Sequence, residues 1–300
     1  MNTLLNIPDL DIYLLYYLDI KSIIRLSAIS KDQNILLISI DFIKEIHLVK
    51  QLNIIDSAAE HNYIASIKWL HESTNTFTYT KNAIILASKN GHIRILDWFN
   101  TSRYKFKYNN QAINLAAANG HINVLDWFSA SGYVFKYNNE AINLASANGH
   151  ITVLNWFDKS KYPVYYDYRA IHYACENGNI NILEWFDKSK YHLFYDYRAL
   201  NMAVTNGHIN VLEWFDKSKY VFLYNYETIN KAAANDHINV LEWFDKSTYE
   251  FLYDHESIDK AAGNGHVSVL EWFDKSKYEF LYSHQSIDKA AANGARKRSR

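Results

Sequence analysis

Tryptophan recurs at a fixed interval in this chain. The eight tryptophans lie 29 residues apart, at Trp69, Trp98, Trp127, Trp156, Trp185, Trp214, Trp243 and Trp272. The same step carries eight asparagines, and seven of the nine glycines directly follow one of those asparagines. A fixed period of this size predicts a solenoid, in which one supersecondary unit stacks on copies of itself. We therefore expect function to reside in a surface built by stacking, not in a single pocket.

Each repeat is predicted to contain two helices. In residues 108–132, good helix formers at 111–118 place Ala112, Ile113 and Ala116 on one buried face, which predicts helix A. Asn119 and Gly120 tolerate positive φ and suit a helix end followed by a sharp reversal. Helix B follows from about Ile122, and apolar residues cover most of its circumference. We therefore predict that helix B is sandwiched between neighbours and that its tryptophan is hidden by them.

The connector between helix B and the next helix A has its own pattern. Tyr133, Phe135 and Tyr137 alternate with Val134 and Lys136, which is typical of extended chain. The connector is longer than the gap between adjacent helices requires. It is therefore predicted to project as a small loop whose aromatic side chains pack against neighbouring loops.

Composition narrows the class of protein. The 31 basic and 32 acidic residues give a net charge of −1, so no global field favours nucleic acid or an acidic membrane. The chain has no uncharged apolar run of roughly 18 residues, the length needed to span a bilayer, and a single cysteine, Cys175, excludes an internal disulfide. We expect an intracellular protein, cytoplasmic or nuclear, without membrane association. Arg296, Lys297, Arg298 and Arg300 form either a nuclear-import signal or a solvated terminus.

The repeat resembles a known family. The residues that carry the resemblance are the helix A pair Ala116 and Ala117, the turn Asn119, Gly120 and His121, and the helix B pair Val124 and Leu125. They resemble the ankyrin repeat, and the pattern recurs from Ala58 to the end, about five sixths of the chain. Short Trp-Phe repeats in a chain rich in Asn, Ile and Tyr look like the ankyrin-repeat proteins of giant DNA viruses, which act inside a host cell.

The resemblance implies an all-α solenoid of stacked helix-turn-helix repeats over residues 51–300, preceded by a small helical segment. Two departures from the family are plain: the period is 29 instead of 33, and no T-P-L-H opens helix A. The connector between repeats is therefore expected to form a shortened loop, or finger, in place of a full β-hairpin. The last repeat is expected to stop after helix A, at Gly294.

Residues 1–50 do not follow the period and resemble an F-box. The matching residues are Ile7, Pro8 and Asp9, then Leu14, Leu15, Leu18 and Asp19, then Ile23, Ile24 and Leu26. The resemblance implies that a Skp1-type adaptor of a ubiquitin ligase binds Pro8, Leu14, Leu15, Leu18, Ile23 and Ile24. The tryptophan usual near Gln33 is absent. The alternative is a helical cap that shields the first repeat from water.

Repeated polar residues do not indicate catalysis. Histidines at 92, 121, 150, 208, 237 and 266 would stand ~10 Å apart in a stack, whereas a metal needs nitrogens within ~2.1 Å. Glu184, Glu213, Glu242 and Glu271 read as a solvated acidic stripe, and Cys175 as an inert core thiol. No phosphate-binding loop or nucleophile motif is present in the sequence. We expect no enzyme, no cofactor and no metal.

Positions that vary between repeats predict where a partner binds. In an ankyrin-like stack, the outer stripe of helix A and the finger tips form the concave side. The candidate protein-binding residues there are Tyr168, Arg169, Tyr173, Tyr197, Arg198, Met202, Tyr226, Lys231 and Lys260. Arginine and tyrosine are favoured at interface hot spots. The alternative is an ordinary solvent-exposed face of mixed composition, which would show the same residue types.

The leading hypothesis is a non-enzymatic protein-interaction scaffold, tethered by its N-terminus to a Skp1-type adaptor. One alternative is a plain ankyrin scaffold whose N-terminus only caps the stack. A second is a nucleic-acid-binding array that uses Lys231, Lys260, Lys289 and the basic tail.

Overall fold

The computed structural model describes residues 54–73, 77 and 79–283. In these residues the regular structure consists of sixteen α-helices and no strands, an all-α array of repeated helix pairs as the period predicts. The chain forms two compact units that divide between Ala141 and Ile142, called here the N-terminal body and the C-terminal body. The F-box-like residues Pro8, Leu14, Leu15, Leu18, Ile23 and Ile24 lie outside the described residues, as do Lys289, Gly294 and the basic tail.

The helices alternate between type A and type B along the chain. The N-terminal body holds α1 (Ile54–Glu60), α2 (Ile64–Ser73), α3 (Lys81–Lys89), α4 (Ile93–Thr101), α5 (Asn110–Ala118) and α6 (Ile122–Ala130), and α7 (Glu140–Ala147) runs across the boundary between the bodies. The C-terminal body continues with α8 (Ile151–Lys159), α9 (Tyr168–Glu176), α10 (Ile180–Lys188), α11 (Tyr197–Thr205), α12 (Ile209–Lys217), α13 (Tyr226–Ala234), α14 (Ile238–Lys246), α15 (His255–Asn264) and α16 (Val267–Lys275). The bounds of α5 and α6 confirm the helix pair predicted from the sequence. Among the described residues, no helix combines the length and the apolar character needed to cross a bilayer.

Capping chemistry sets both ends of helix A. Before α11, the Asp196 carboxylate accepts a hydrogen bond of 2.9 Å from the backbone N–H of Arg198, which satisfies a first-turn donor. At the far end of α5, the N–H of His121 donates to the carbonyl of Ala116 at 2.9 Å, and Gly120 takes φ 73°. A left-handed glycine followed by this bond to the carbonyl five residues back is the Schellman ending. The chain then reverses into helix B.

Helix A, not helix B, is the more deeply buried helix. Six residues of α5 are buried, against three of α6. Helices α1, α3 and α5 pack in order in the N-terminal body, and α9, α11, α13 and α15 do so in the C-terminal body. Alanine side chains at these contacts let one helix A approach the next. The prediction that helix B is the sandwiched helix is therefore wrong, because small buried residues, and not the count of large apolar ones, mark the close contact.

The tryptophans are half-buried, which corrects the prediction that they are hidden. This holds for those from Trp98 to Trp272, whereas the phenylalanine that follows each of them is fully buried. Trp243 lies at the edge of its helix, where Phe222 of the preceding connector stacks on it at 5.5 Å between ring centroids. Phe222 also stacks on Tyr249 at 4.2 Å. The indole of Trp243 is thus partly covered by the connector of the previous repeat.

The connectors are irregular loops that pack against each other, as predicted. In the C-terminal body, the hydroxyl of Tyr166 donates to the carbonyl of His192 at 2.8 Å, and that of Tyr195 to the carbonyl of Val221 at 2.7 Å. Tyr224 makes the same bond to Glu250 at 3.0 Å. Each connector is therefore tied by a side-chain hydrogen bond to the connector 29 residues later.

The Asn-Gly turn packs against the turn of the following repeat. Gly207 has φ +71°, and a Cβ at this position would lie 2.7 Å from Nδ1 of His237. The Nε2 of His237 lies 2.9 Å from the carbonyl oxygen of Thr205. Because the imidazole is anchored by that bond, it cannot move aside without exposing a helix-end carbonyl.

We predict that Gly207→Ala destabilises the protein by about 2–4 kcal/mol, since it adds a steric clash to the cost of a left-handed alanine. Gly132 is the matched control: its φ is +80°, but an added Cβ would meet nothing within 4 Å. Gly132→Ala is expected to cost only about 1–2 kcal/mol, the conformational part alone. Urea unfolding of both variants measures the difference, and equal losses would contradict the packing argument.

Candidate protein-binding surface

Buried amide side chains fix where each helix A starts. In the C-terminal body, Nδ2 of Asn143 donates to Oδ1 of Asp167 at 2.9 Å, and the N–H of Asp167 donates back to Oδ1 of Asn143 at 3.3 Å. Asn230 and Asp254 form the same reciprocal pair, with the amide bond at 2.8 Å. Each pair joins the middle of one helix A to the N-cap of the next. The first turn of every such helix is therefore set by the repeat before it.

Three tyrosines directly follow the N-caps Asp167, Asp196 and Asn225. Tyr168, Tyr197 and Tyr226 begin α9, α11 and α13, and their exposed fractions are 45%, 44% and 51%. These values are high for side chains that are mostly apolar. The predicted tyrosines are thus accessible and occupy equivalent positions in three consecutive repeats.

The two arginines next to them are held by their own N-cap carboxylates. Nη2 of Arg169 lies 2.9 Å from Oδ2 of Asp167, and Nη2 of Arg198 lies 2.6 Å from Oδ2 of Asp196. Hydrogen bonds from these guanidinium groups hold the pKa of both carboxyls below the usual range. The guanidinium carbon of Arg198 also lies 5.2 Å from the ring centre of Tyr168. Both guanidinium groups are therefore already engaged within the protein.

The remaining predicted residues form a second row, one turn further along each helix A. Tyr173, Met202 and Lys231 are partly exposed, and Lys260 is exposed. The ammonium of Lys231 lies 3.7 Å from the carboxylate of Glu227, and Lys260 pairs in the same way with Glu256. All nine predicted residues thus lie on the A helices of the C-terminal body. We call this surface, together with the connector tips that precede the same helices, the helix A face.

The sequence analysis missed three exposed residues at the connector tips. Tyr165, Phe194 and Leu223 have exposed fractions of 52%, 51% and 37%. They precede Tyr168, Tyr197 and Tyr226 by three residues, and the corresponding residues in other repeats are Lys107, Lys136, Leu252 and Leu281. The signal was available, since two aromatic residues replace lysine in adjacent repeats. The helix A positions alone do not reveal it, because these residues lie in the connectors.

His172 replaces the buried asparagine in α9. Its ring is buried, lies 5.0 Å from the ring of Tyr168, and places Nε2 3.3 Å from Oδ1 of Asp196. Burial lowers the pKa of this imidazole, and the Asp196 carboxylate opposes that shift. An imidazole cannot form the reciprocal amide pair, so the contact between α9 and α11 differs from the contacts that have this pair.

The other polar candidates have structural roles in the described residues. Nε2 of His266 lies 3.0 Å from the carbonyl oxygen of Ala234, so this histidine caps α13, the helix A of the preceding repeat. Burial raises the pKa of the Cys175 thiol. Glu184 pairs with Lys188 at 3.1 Å, four residues later, so the predicted acidic stripe is a row of helix ion pairs. Within the described part of the chain, no group of three or more His, Cys, Asp or Glu side chains is placed to hold a metal ion.

Comparison with known proteins adds no assignment: no protein-family model matches the chain, and no curated protein gives a significant match.

We predict that His172→Asn makes stability less sensitive to acid. The folded-state pKa of His172 lies below its ordinary value of 6.5, so between those two values the unfolded chain binds more protons than the folded one. The free energy of unfolding therefore falls as pH drops below about 6.5, by at most about 1.4 kcal/mol per pH unit from this group. Asp167, Asp196 and Arg198 are the charged groups that act on His172.

Urea midpoints at pH 7 and pH 5 test this for the wild type and the variant. Asparagine restores the amide found at this position in the neighbouring repeats, so the variant should lose less stability between the two pH values. An identical loss in both proteins would show that His172 does not titrate in this range.

Proposed function

We propose that this protein is a non-enzymatic scaffold that binds a protein partner on the helix A face of its C-terminal body. One observation carries the proposal: three consecutive repeats expose tyrosine at the first residue of helix A and a large apolar residue at the connector tip. Contiguous exposed apolar surface marks interaction sites, and tyrosine and arginine dominate interface energetics.

Contrast within the same fold supports this reading. The position of Tyr168 is held by Asn110 and Asn139 in earlier repeats and by His255 in a later one. The fully buried phenylalanine of helix B does not change between repeats. The buried positions are thus constant, whereas these surface positions hold aromatic residues in adjacent repeats only. Folding alone does not account for the tyrosines.

We further propose that the array is of the ankyrin type. Support comes from the paired helices, the Asn-Gly turn with a left-handed glycine, and the histidine that contacts the last carbonyl of helix A in the preceding repeat. The proposed setting is the interior of a cell, cytoplasmic or nuclear, and a host cell if the chain is viral, as its resemblance in sequence suggests.

The proposal for residues 1–50 rests on sequence alone. An F-box-like segment around Pro8, Leu14, Leu15, Leu18, Ile23 and Ile24 would recruit a Skp1-type adaptor, and the helix A face would then hold the substrate of the ligase. The simpler candidate is a helical cap on the first repeat, with the same helix A face as the binding site.

A nucleic-acid-binding array is the weaker candidate. Lys231 and Lys260 each lie beside a glutamate four residues earlier in the same helix. Neutralised lysines release few counterions from a phosphate backbone, so their contribution to nucleic-acid affinity is small.

We predict that replacing Tyr168, Tyr197 and Tyr226 together by serine abolishes partner capture from a eukaryotic cell lysate. The matched control replaces Glu184, Glu213 and Glu242 by alanine on the exposed side of helix B, where they form only surface ion pairs. Quantitative mass spectrometry of captured proteins is the readout, and thermal unfolding verifies that both variants are folded.

Proteins retained by the wild type and by the helix B control, but lost with the tyrosine variant, are the expected result. Identical capture by all three proteins would contradict binding on this face. Adding a purified Skp1-type adaptor to the same beads tests the N-terminal proposal: retention by the full chain, reduced by Leu14→Glu and Leu15→Glu, supports recruitment, and no retention removes it.

A further inference from the structure

We propose that the helix A face takes an uncharged, proline-rich segment of its protein partner in the polyproline II conformation. This inference rests on the proposed function and names the chemistry of its ligand. It follows from the arrangement of exposed aromatic side chains, their spacing, and the charge balance around them.

The apolar surface forms two parallel rows across three repeats. One row consists of Tyr168, Tyr197 and Tyr226 at the helix starts, and the other of Tyr165, Phe194 and Leu223 at the connector tips. Exposed aromatic side chains that recur in this way suit a proline-rich ligand, because flat rings pack against pyrrolidine rings.

The spacing of the repeats matches the pitch of this ligand. Helices α9, α11 and α13 pack directly on one another through fully buried alanines, including Ala174, Ala203 and Ala232. Helices in such contact lie roughly 8–10 Å apart. A polyproline II helix completes a turn in three residues and advances about 9 Å. Every third residue of the ligand would therefore meet an equivalent site in the next repeat.

Contacts within the protein order part of this surface before a ligand arrives. The ring of Tyr168 lies 5.0 Å from the ring of His172 and 5.2 Å from the guanidinium carbon of Arg198, while 45% of the side chain stays exposed. Phe194 lies against Tyr166 of the preceding connector, with ring centroids 5.8 Å apart. A ligand that is itself stiff loses little conformational entropy on binding to a preorganised surface. A flexible segment that makes the same contacts would lose more conformational entropy and therefore bind more weakly.

Charge selects a neutral ligand. Arg169 and Arg198 are paired with Asp167 and Asp196, so the two rows carry both signs and no net charge from these groups. Because each charge already has its partner, neither an acidic nor a basic segment meets an uncompensated opposite charge there. An uncharged ligand leaves both pairs intact, which makes it the complementary one.

Hydrogen-bond chemistry favours polyproline II over an amphipathic helix. The exposed rings of Tyr168, Tyr197 and Tyr226 carry hydroxyl donors. A polyproline II backbone has no internal hydrogen bonds and presents its carbonyl groups outward, whereas a helix has already satisfied most of its own. The tyrosine row can therefore stack on proline and donate to the ligand backbone at once.

Fluorescence anisotropy with labelled synthetic peptides and the full chain tests the proposal. The probe is four copies of Pro-Leu-Pro. The comparison peptides are four copies of Gly-Leu-Gly, four copies of Pro-Glu-Pro, four copies of Pro-Lys-Pro, and an uncharged amphipathic helix. We expect the Pro-Leu-Pro peptide to bind at least about tenfold more tightly than each of the others, because it alone is stiff, neutral and able to accept hydrogen bonds on its backbone carbonyl groups.

Substitution then locates the site. Replacing Tyr168, Tyr197 and Tyr226 by serine should weaken this binding at least about tenfold, whereas Asn110→Ser with Asn139→Ser, at the same positions of other repeats, should leave it unchanged. Preference for a charged, flexible or helical peptide, no binding of the Pro-Leu-Pro peptide, or binding that survives the tyrosine substitutions would each overturn the proposal. If the lysate partner is still lost with the tyrosine variant, the scaffold function stands and only the ligand chemistry is wrong.

Discussion

The structure depends on a hydrogen bond between an amide in the middle of one helix A and the N-cap of the next. Asn114 with Asn138, Asn143 with Asp167, and Asn230 with Asp254 form this pair, at 2.6, 2.9 and 2.8 Å. A buried amide without its partner would cost about 1–3 kcal/mol, so no repeat is complete without its successor. The connectors also depend on the following repeat, because tyrosine hydroxyls such as that of Tyr195 donate to a carbonyl of the next connector, here that of Val221. These bonds add the directionality that apolar packing lacks, and they fix the register between repeats.

Register is what turns a stack into a binding surface. Where such a pair exists, the start of helix A is set by the preceding helix A, and the 29-residue period places the residue after the N-cap at the same point of each repeat. Tyr168, Tyr197 and Tyr226 occupy this point in three consecutive repeats, and the paired Arg169 and Arg198 lie beside them. Variation confined to such positions changes the surface without changing the scaffold beneath it.

The 29-residue period predicted the helix bounds closely. It did not predict which helix and which side chains are buried, because burial depends on how closely neighbouring helices approach. Helix bounds followed from the Asn-Gly turns, whose backbone requirement is local. The roles of the two helices did not, because the pattern counts apolar residues but does not show that alanine permits the closer approach. Trp127 illustrates the same limit: its recurrence indicated burial, yet its indole N–H reaches the rim to donate to Asp97 at 2.6 Å. Asn143 was visible in the repeat, and only the structure shows that it faces an N-cap 24 residues away.

Hydrogen exchange in Asn230→Ala tests the central claim most directly. Asn230 lies in α13, and its partner Asp254 caps α15 in the following repeat. The account predicts that amides of α15 exchange about fivefold to hundredfold faster, since the loss of one buried partner is worth about 1–3 kcal/mol. Asn235→Ala is the control, because the Asn235 amide bonds only within its own repeat, to the carbonyl of Lys231 at 2.8 Å. Faster exchange confined to α13, with α15 unchanged, would show that the repeats do not complete one another through these amides.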